Sequence, residues 1–135
     1  MSDTINIELT EENGVLSFVM NAPSNNIMSA AFLEKFEAVM DQVAERAAKG
    51  GIKGMIIRGG GRHFSVGADV DALSDRSQKE SYSDEDGILP ASHVRQKARF
   101  TFLRDLPFPV ISVITGFCIG SGSEIAVNSH YRIIE

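Results

Sequence analysis

Hydrophobic and polar positions along the chain fall into blocks that predict strands and helices in turn. Residues 5–9 and 15–20 are short apolar segments that flank Glu11-Glu12-Asn13-Gly14, a pattern that predicts an antiparallel hairpin. Further on, Ser29 is placed to cap a helix that Gly50-Gly51 would end. One face of this helix carries five apolar residues, namely Phe32, Phe36, Val39, Met40 and Val43.

The same alternation continues to the end of the chain. Residues 54–58 form an apolar run that predicts a strand buried on both faces, and residues 75–86, rich in Ser, Asp, Glu and Lys, predict a surface loop. A helix is expected from about Ser92 to Arg104, where Pro107 and Pro109 stop it. A strand over 109–115, a short helix to about Ser129 and an apolar strand from Tyr131 follow. This order predicts an α/β fold with crossover connections.

Composition is that of a globular protein. The chain has 135 residues, a length that suffices for one hydrophobic core. Hydrophobic residues make up 43% of the chain and charged residues 23%. A formal charge of -5 without a basic patch argues against a nucleic-acid partner. Cys118 is the only cysteine and lies in an apolar strand end, which favours a small core residue over a nucleophile. The polar N-terminus and the lack of an 18-residue apolar run predict a cytoplasmic protein without a membrane span.

The segment 117–126, Phe-Cys-Ile-Gly-Ser-Gly-Ser-Glu-Ile-Ala, places a carboxylate where a helix should begin, after a buried strand and a glycine-broken turn. Unpaired backbone N–H groups and the helix dipole at such a turn favour negative charge. An enzyme could hold a developing oxyanion there, beside Glu124 as an acid/base. An ordinary tight turn with a first-turn Glu explains the same segment.

A second glycine-containing segment, residues 59–70, also follows a buried strand and contains Phe64-Ser65-Val66-Gly67-Ala68-Asp69. Together with Asn21-Ala22-Pro23-Ser24-Asn25-Asn26, the two segments resemble the crotonase (enoyl-CoA hydratase/isomerase) superfamily. In that family, an F-x-x-G-A-D turn and a G-G-G-x-E turn each supply one oxyanion-hole N–H. The resemblance implies that the donors are the backbone N–H groups of Ala68 and Ser121, with Glu124 as the acid/base.

The resemblance also implies a fold, a ligand and an assembly. The fold would be the crotonase-like β-β-α superhelix, and the substrate an acyl-CoA thioester, whose coenzyme A is part of the substrate and not a resident cofactor. Homo-oligomers, as trimers or hexamers, are typical of the family. The residues expected to contact coenzyme A are Ser24, Asn26, Ser65, Val66, Ala68 and Asp69.

Other glycine-rich and metal motifs do not match. A P-loop needs Lys-Ser/Thr after its last glycine, a dinucleotide fingerprint needs G-x-G-x-x-G, and a serine hydrolase needs G-x-S-x-G; none occurs here. His63, His93 and His130 lie far apart in the sequence without Cys or carboxylates at ligand spacing, so no metal site is expected.

The chain departs from the family pattern in three ways. Ser121 replaces a glycine, so strain of about 1 kcal/mol or more is expected if its φ is unfavourable. His130 stands where many members have an acidic residue. The chain ends within a predicted strand, at about half the family's length. We therefore interpret residues 1–135 as the N-terminal part of a single crotonase-like domain without its C-terminal helical part.

Three functions remain open on these grounds. The first is an acyl-CoA hydratase, isomerase or related enzyme in which Glu124, half shielded and near an apolar wall, carries the proton. The second is a CoA-thioester-binding protein without catalysis, since hydratases use a further glutamate downstream. The third is a scaffold or interaction fragment.

Overall fold

The computed structural model describes residues 4–69 and 99–135. The predicted loop at 75–86 and most of the helix predicted between Ser92 and Arg104 lie outside these ranges. Within them, residues 99–101 are helical and lead into a 3₁₀ turn at Phe102–Asp105. The predicted helix therefore ends close to its expected place, before the two prolines.

The predicted hairpin is confirmed, with longer strands than expected. Strand β1 (Asn6–Glu12) pairs antiparallel with β2 (Val15–Asn21), and Glu12 lies opposite Val15. Asn13 and Gly14 form the two-residue connection, with φ values of 53° and 82°. Two positive φ values match the strand twist in a hairpin, and Asn-Gly is the sequence that tolerates them best.

Helix α1 (Ala30–Lys49) is the helix predicted between Ser29 and Gly50. The Ser29 hydroxyl accepts a hydrogen bond from Phe32 N–H at 3.1 Å and so caps the first turn. The five predicted face residues are all buried. Phe36 meets Phe18 of β2 edge to face, with ring centroids 5.6 Å apart, which packs α1 against the sheet.

Strands β4 (Gly54–Gly59), β6 (Val110–Ile114) and β7 (Tyr131–Ile134) join the hairpin in one main sheet. The strand order is β1-β2-β4-β6-β7, and each of the last three strands pairs parallel with the neighbour before it. Helix α2 (Ser121–Asn128) connects the last two strands. A second, two-stranded parallel sheet joins β3 (Ile27–Met28) to β5 (Gly67–Ala68). The α/β class is thus confirmed.

The prediction that the strand at 54–58 is buried on both faces is wrong for the described residues. Met55 and Ile57 are enclosed in the core, whereas Ile56 is half-buried and Arg58 exposed. The core side chains of α1 and of residues 100–108 pack on one face of the sheet, so burial alternates along β4.

Strand β7 lies at the edge of the sheet, and all of its residues are exposed. Tyr131, Ile133 and Ile134 keep 62%, 52% and 78% of their surface open to solvent. No helix in the described ranges is long and apolar enough to cross a lipid bilayer.

Candidate active site

Two backbone hydrogen bonds fix the turn before α2. Gly122 N donates to Ile119 O at 2.9 Å, and Glu124 N donates to Gly120 O at 3.2 Å. Ser121 is the first residue of the helix, where a backbone N–H has no acceptor within the helix itself. The expected strain at Ser121 is not found, because the positive φ of this turn, 56°, falls on Gly120.

The two glycine-containing segments lie directly against each other. Ser65 N donates to Phe117 O at 3.0 Å, and Ile119 N donates to Ser65 O at 3.1 Å. Gly67 then approaches the turn so closely that a Cβ atom on it would lie 2.5 Å from Ile119 O and 3.3 Å from Ser121 N. Only glycine fits there. The fold therefore brings the Gly67-Ala68 peptide next to Ser121, two regions more than 50 residues apart in sequence.

Ala68 is fixed on its other side by β3, where it pairs with Met28. The chain enters β3 through a left-handed turn, Pro23–Asn26, in which Ser24, Asn25 and Asn26 have φ values of 57°, 61° and 60°. Val66 N donates to Asn25 O at 3.2 Å, which joins this turn to β5. Three segments thus converge at the candidate site: the left-handed turn, the strand β5 and the turn before α2.

The residues predicted to contact coenzyme A fall into two groups. Ser24 is exposed, and Val66, Ala68 and Asp69 are half-buried. Asn26 and Ser65 are buried, with exposed fractions of 4% and 0%, and their side chains hydrogen-bond within the protein. Only the exposed and half-buried residues of this set, Ser24, Val66, Ala68 and Asp69, therefore have side chains open to a ligand at this surface.

Glu124 lies in the first turn of α2, as predicted, but its side chain is exposed rather than half shielded. The described residues therefore do not form the apolar wall that was expected beside it. One turn later, the Asn128 side chain donates to Glu124 O at 2.8 Å. Glu124 lies on the same short helix as Ser121, three residues further along.

His130 and His63 accept hydrogen bonds from backbone N–H groups at the start of β6 and in the turn after it. His63 Nδ1 accepts a hydrogen bond from Phe117 N–H at 2.8 Å, and its ring stacks on that of Phe117 with centroids 4.4 Å apart. His130 Nδ1 accepts one from Val110 N–H at 2.9 Å. In the sequence, the position of His63 directly before Phe64 of the glycine-containing segment is the feature that indicates a structural role.

Cys118 packs against the core as expected, and burial raises the pKa of its thiol. A hydrogen bond with the Ser123 side chain acts in the opposite direction and is the weaker cause. The described ranges contain no cluster of three or more His, Cys, Asp or Glu residues that could hold a metal ion.

Comparison with known proteins identifies the family. The family model described as Enoyl-CoA hydratase/isomerase matches residues 10–135. The chain belongs to this family. It is 31% identical over 127 residues to a probable enoyl-CoA hydratase of Bacillus subtilis (strain 168). The aligned region covers 94% of this chain and 45% of that relative. The chain thus spans less than half the length of this enoyl-CoA hydratase/isomerase relative.

Solved structures agree on the fold. An enoyl-CoA hydratase/isomerase from Xanthobacter autotrophicus Py2 superposes with a TM-score of 0.76 at 23% identity, over 95% of this chain and 45% of that one. An enoyl-CoA hydratase from Shewanella pealeana ATCC 700345 gives 0.77 at 18% identity, over 95% and 46%. Identities this low show the fold alone, and the predicted crotonase-like fold is confirmed.

Proposed function

We propose that the protein acts on an acyl-CoA thioester and stabilises its enolate with the backbone N–H groups of Ala68 and Ser121. Moving a proton at the carbon next to a thioester carbonyl places negative charge on the carbonyl oxygen. Two fixed donors aimed at that oxygen lower the barrier, and one such donor is typically worth about 3 kcal/mol. Glu124 is the acid/base that gives or takes the proton.

The close approach of Gly67 to Ser121 is the observation that carries this proposal. It puts the peptide that ends in Ala68 N–H beside the first peptide of α2, whose N–H has no acceptor inside the helix. A main-chain donor set of this kind is held by a strand and a helix, so it needs little reorganisation when charge develops. Glu124, three residues after Ser121, is exposed, so its carboxylate is accessible to a bound substrate.

The coenzyme A portion would lie along the open surface of the same three segments. Ser24, Val66, Ala68 and Asp69 offer exposed or half-buried atoms there. The coenzyme enters and leaves with the substrate, so no resident cofactor is proposed. By family membership we also propose a cytoplasmic homo-oligomer.

A CoA-thioester-binding protein without catalysis is the second candidate, because α2 contributes a single carboxylate, Glu124, to the turn. The family resemblance implies that hydration holds a water between two carboxylates. We therefore expect the 135-residue chain alone not to hydrate crotonyl-CoA. Isomerisation, hydrolysis and decarboxylation need fewer carboxylates and remain open for the full-length protein.

Titration calorimetry on the full-length protein tests the ligand class. Crotonyl-CoA is expected to bind with measurable heat, whereas NAD and ATP at the same concentrations are not. Absence of heat with crotonyl-CoA at millimolar concentration would contradict the proposal. Binding of crotonyl-CoA without turnover of any thioester would favour the second candidate.

A further inference from the structure

We propose that Asn26 is a positioning residue. Together with Ser65, it holds in place the two segments that carry Ala68 and Ser121. This inference rests on the proposed function, in which Ala68 and Ser121 hold the thioester oxygen. Asn26 belongs to neither segment and its side chain is enclosed, with 4% of its surface exposed. Its effect on the reaction must therefore pass through other residues.

The side-chain amide of Asn26 connects its own turn to the segment between β4 and β5. Oδ1 accepts a hydrogen bond from Ala22 N–H at 2.7 Å, which closes the left-handed turn. Nδ2 donates to His63 O and to Phe64 O, both at 3.1 Å. Both hydrogens of the amide group are used, and no shorter or charged side chain supplies the same acceptor and two donors.

Ser65 hydrogen-bonds to Asn26 and also to residues next to each proposed donor. Its hydroxyl donates to Asn26 O at 2.8 Å and accepts from Gly67 N–H at 3.0 Å, one residue before Ala68. The Ser65 carbonyl accepts from Ile119 N–H at 3.1 Å, two residues before Ser121. We call Asn26 and Ser65, with these hydrogen bonds, the Asn26–Ser65 clamp. Because it is buried and fully paired, it fixes the distance between the two segments.

Asn25 provides a matched control for Asn26. The two residues are adjacent and share the left-handed conformation, with φ values of 61° and 60°, but Asn25 is exposed and Asn26 is buried. Glycine adopts this conformation without strain. Glycine at either position therefore keeps the left-handed backbone, including the bond from Asn26 N to Ala22 O, and only Asn26→Gly removes the clamp's side-chain amide with its bond from Ala22 N–H.

Amide hydrogen exchange of the protein without any ligand, followed by NMR, tests the clamp. In Asn26→Gly, exchange at Gly67 and Ile119 is expected to accelerate by about tenfold or more, because local opening costs less once buried hydrogen bonds are lost. Asn25→Gly should leave both rates within about twofold of the wild type. Equal rates in Asn26→Gly and the wild type would overturn the proposal.

A second pair of variants covers the case in which Asn26→Gly does not fold. Ser65→Ala removes the clamp's hydroxyl, whereas Ser112→Ala removes an equally buried hydroxyl, which is paired with Ser129 at 2.7 Å. Both should lower the melting temperature. Only Ser65→Ala should accelerate exchange at Gly67, and equal acceleration in both variants would overturn the clamp.

The kinetic consequence separates positioning from general destabilisation. In the full-length protein, Asn26→Gly is expected to lower kcat for a CoA thioester by roughly 10- to 100-fold and to change KM by less than about threefold, since misplaced donors weaken the transition state more than substrate binding. A rise in KM with unchanged kcat would overturn the positioning role. If the wild type itself neither binds nor converts crotonyl-CoA, the proposed function fails, while the exchange experiment still decides the clamp.

Discussion

Gly122 of helix α2 packs directly on Ser65. A Cβ atom on Gly122 would lie 2.9 Å from Ser65 Cβ and 3.0 Å from Ser65 O, closer than real Cβ atoms approach. The helix that carries Glu124 therefore lies on the strand segment that leads to Ala68 without a side chain between them. This contact places the acid/base candidate and both N–H donors within one small region.

Gly122→Ala is expected to lower the free energy of unfolding by about 1–3 kcal/mol through overpacking. Helix propensity alone favours alanine over glycine by about 1 kcal/mol, so the sign of the effect distinguishes packing from propensity. Gly61→Ala is the matched control, because no atom lies within 4 Å of a Cβ at that position. Urea denaturation of the two variants measures the difference, and a stabilised Gly122→Ala would contradict the packing account.

Much of the local structure could be predicted from the sequence, since it depends on neighbouring residues. The Asn13-Gly14 hairpin and the Ser29 cap of α1 each follow from contacts within a few positions. The family motifs predicted that Ala68, Ser121 and Glu124 act together, and this stays a prediction.

Features that depend on distant residues could not be predicted in the same way. Asn26 Nδ2 bonds to a carbonyl 37 residues away, and no periodicity or motif indicates such a partner. The one-sided burial of β4 depends on which elements cover the sheet, and the exposure of Glu124 depends on what packs over α2. The conformation of Gly120 relieves Ser121 of strain, which sequence alone does not reveal.

Replacing Glu124 by Gln tests proton transfer. Gln keeps the size of the side chain and can still hydrogen-bond, but it cannot carry the proton. In the full-length protein we expect kcat to fall about 100-fold or more with KM nearly unchanged. Steady-state kinetics with the preferred thioester measure both constants. An unaltered kcat would show that Glu124 is an ordinary first-turn residue of α2.

The Cys118 thiol should react slowly with iodoacetamide in the folded chain. Burial raises its pKa, so the reactive thiolate is scarcer in the folded state than in the unfolded one at the same pH. Alkylation at pH 8 should be slower in buffer than in urea, with the same thiol serving as its own control. Equal rates would contradict the burial account.

The same shift has a consequence for stability at alkaline pH. The folded state holds the Cys118 proton more tightly, so this group's contribution is fully present below the pKa of the unfolded thiol. It is lost as the pH rises through the folded pKa. In Cys118→Ser, the free energy of unfolding should fall less at alkaline pH than in the wild type. An identical fall in both proteins would exclude the thiol as a cause.

The apolar surface of β7 should cause the 135-residue chain to self-associate. Tyr131, Ile133 and Ile134 are exposed on an edge strand, an arrangement that monomers seldom tolerate. Static light scattering should give a mass above that of the monomer, and Ile134→Lys should reduce it. A wild-type chain that is monomeric at all concentrations would refute this prediction.

In the proposed complex, the thioester oxygen lies between the N–H groups of Ala68 and Ser121. The carbonyl ¹³C resonance of crotonyl-CoA, labelled at the thioester carbon and bound to the full-length protein, reports on these two hydrogen bonds. Two hydrogen bonds withdraw electron density from the carbonyl carbon, so the resonance is expected to move downfield on binding and to keep that shift in Glu124→Gln, which leaves both donors in place. A bound thioester whose carbonyl resonance equals that of the free ligand would contradict the account.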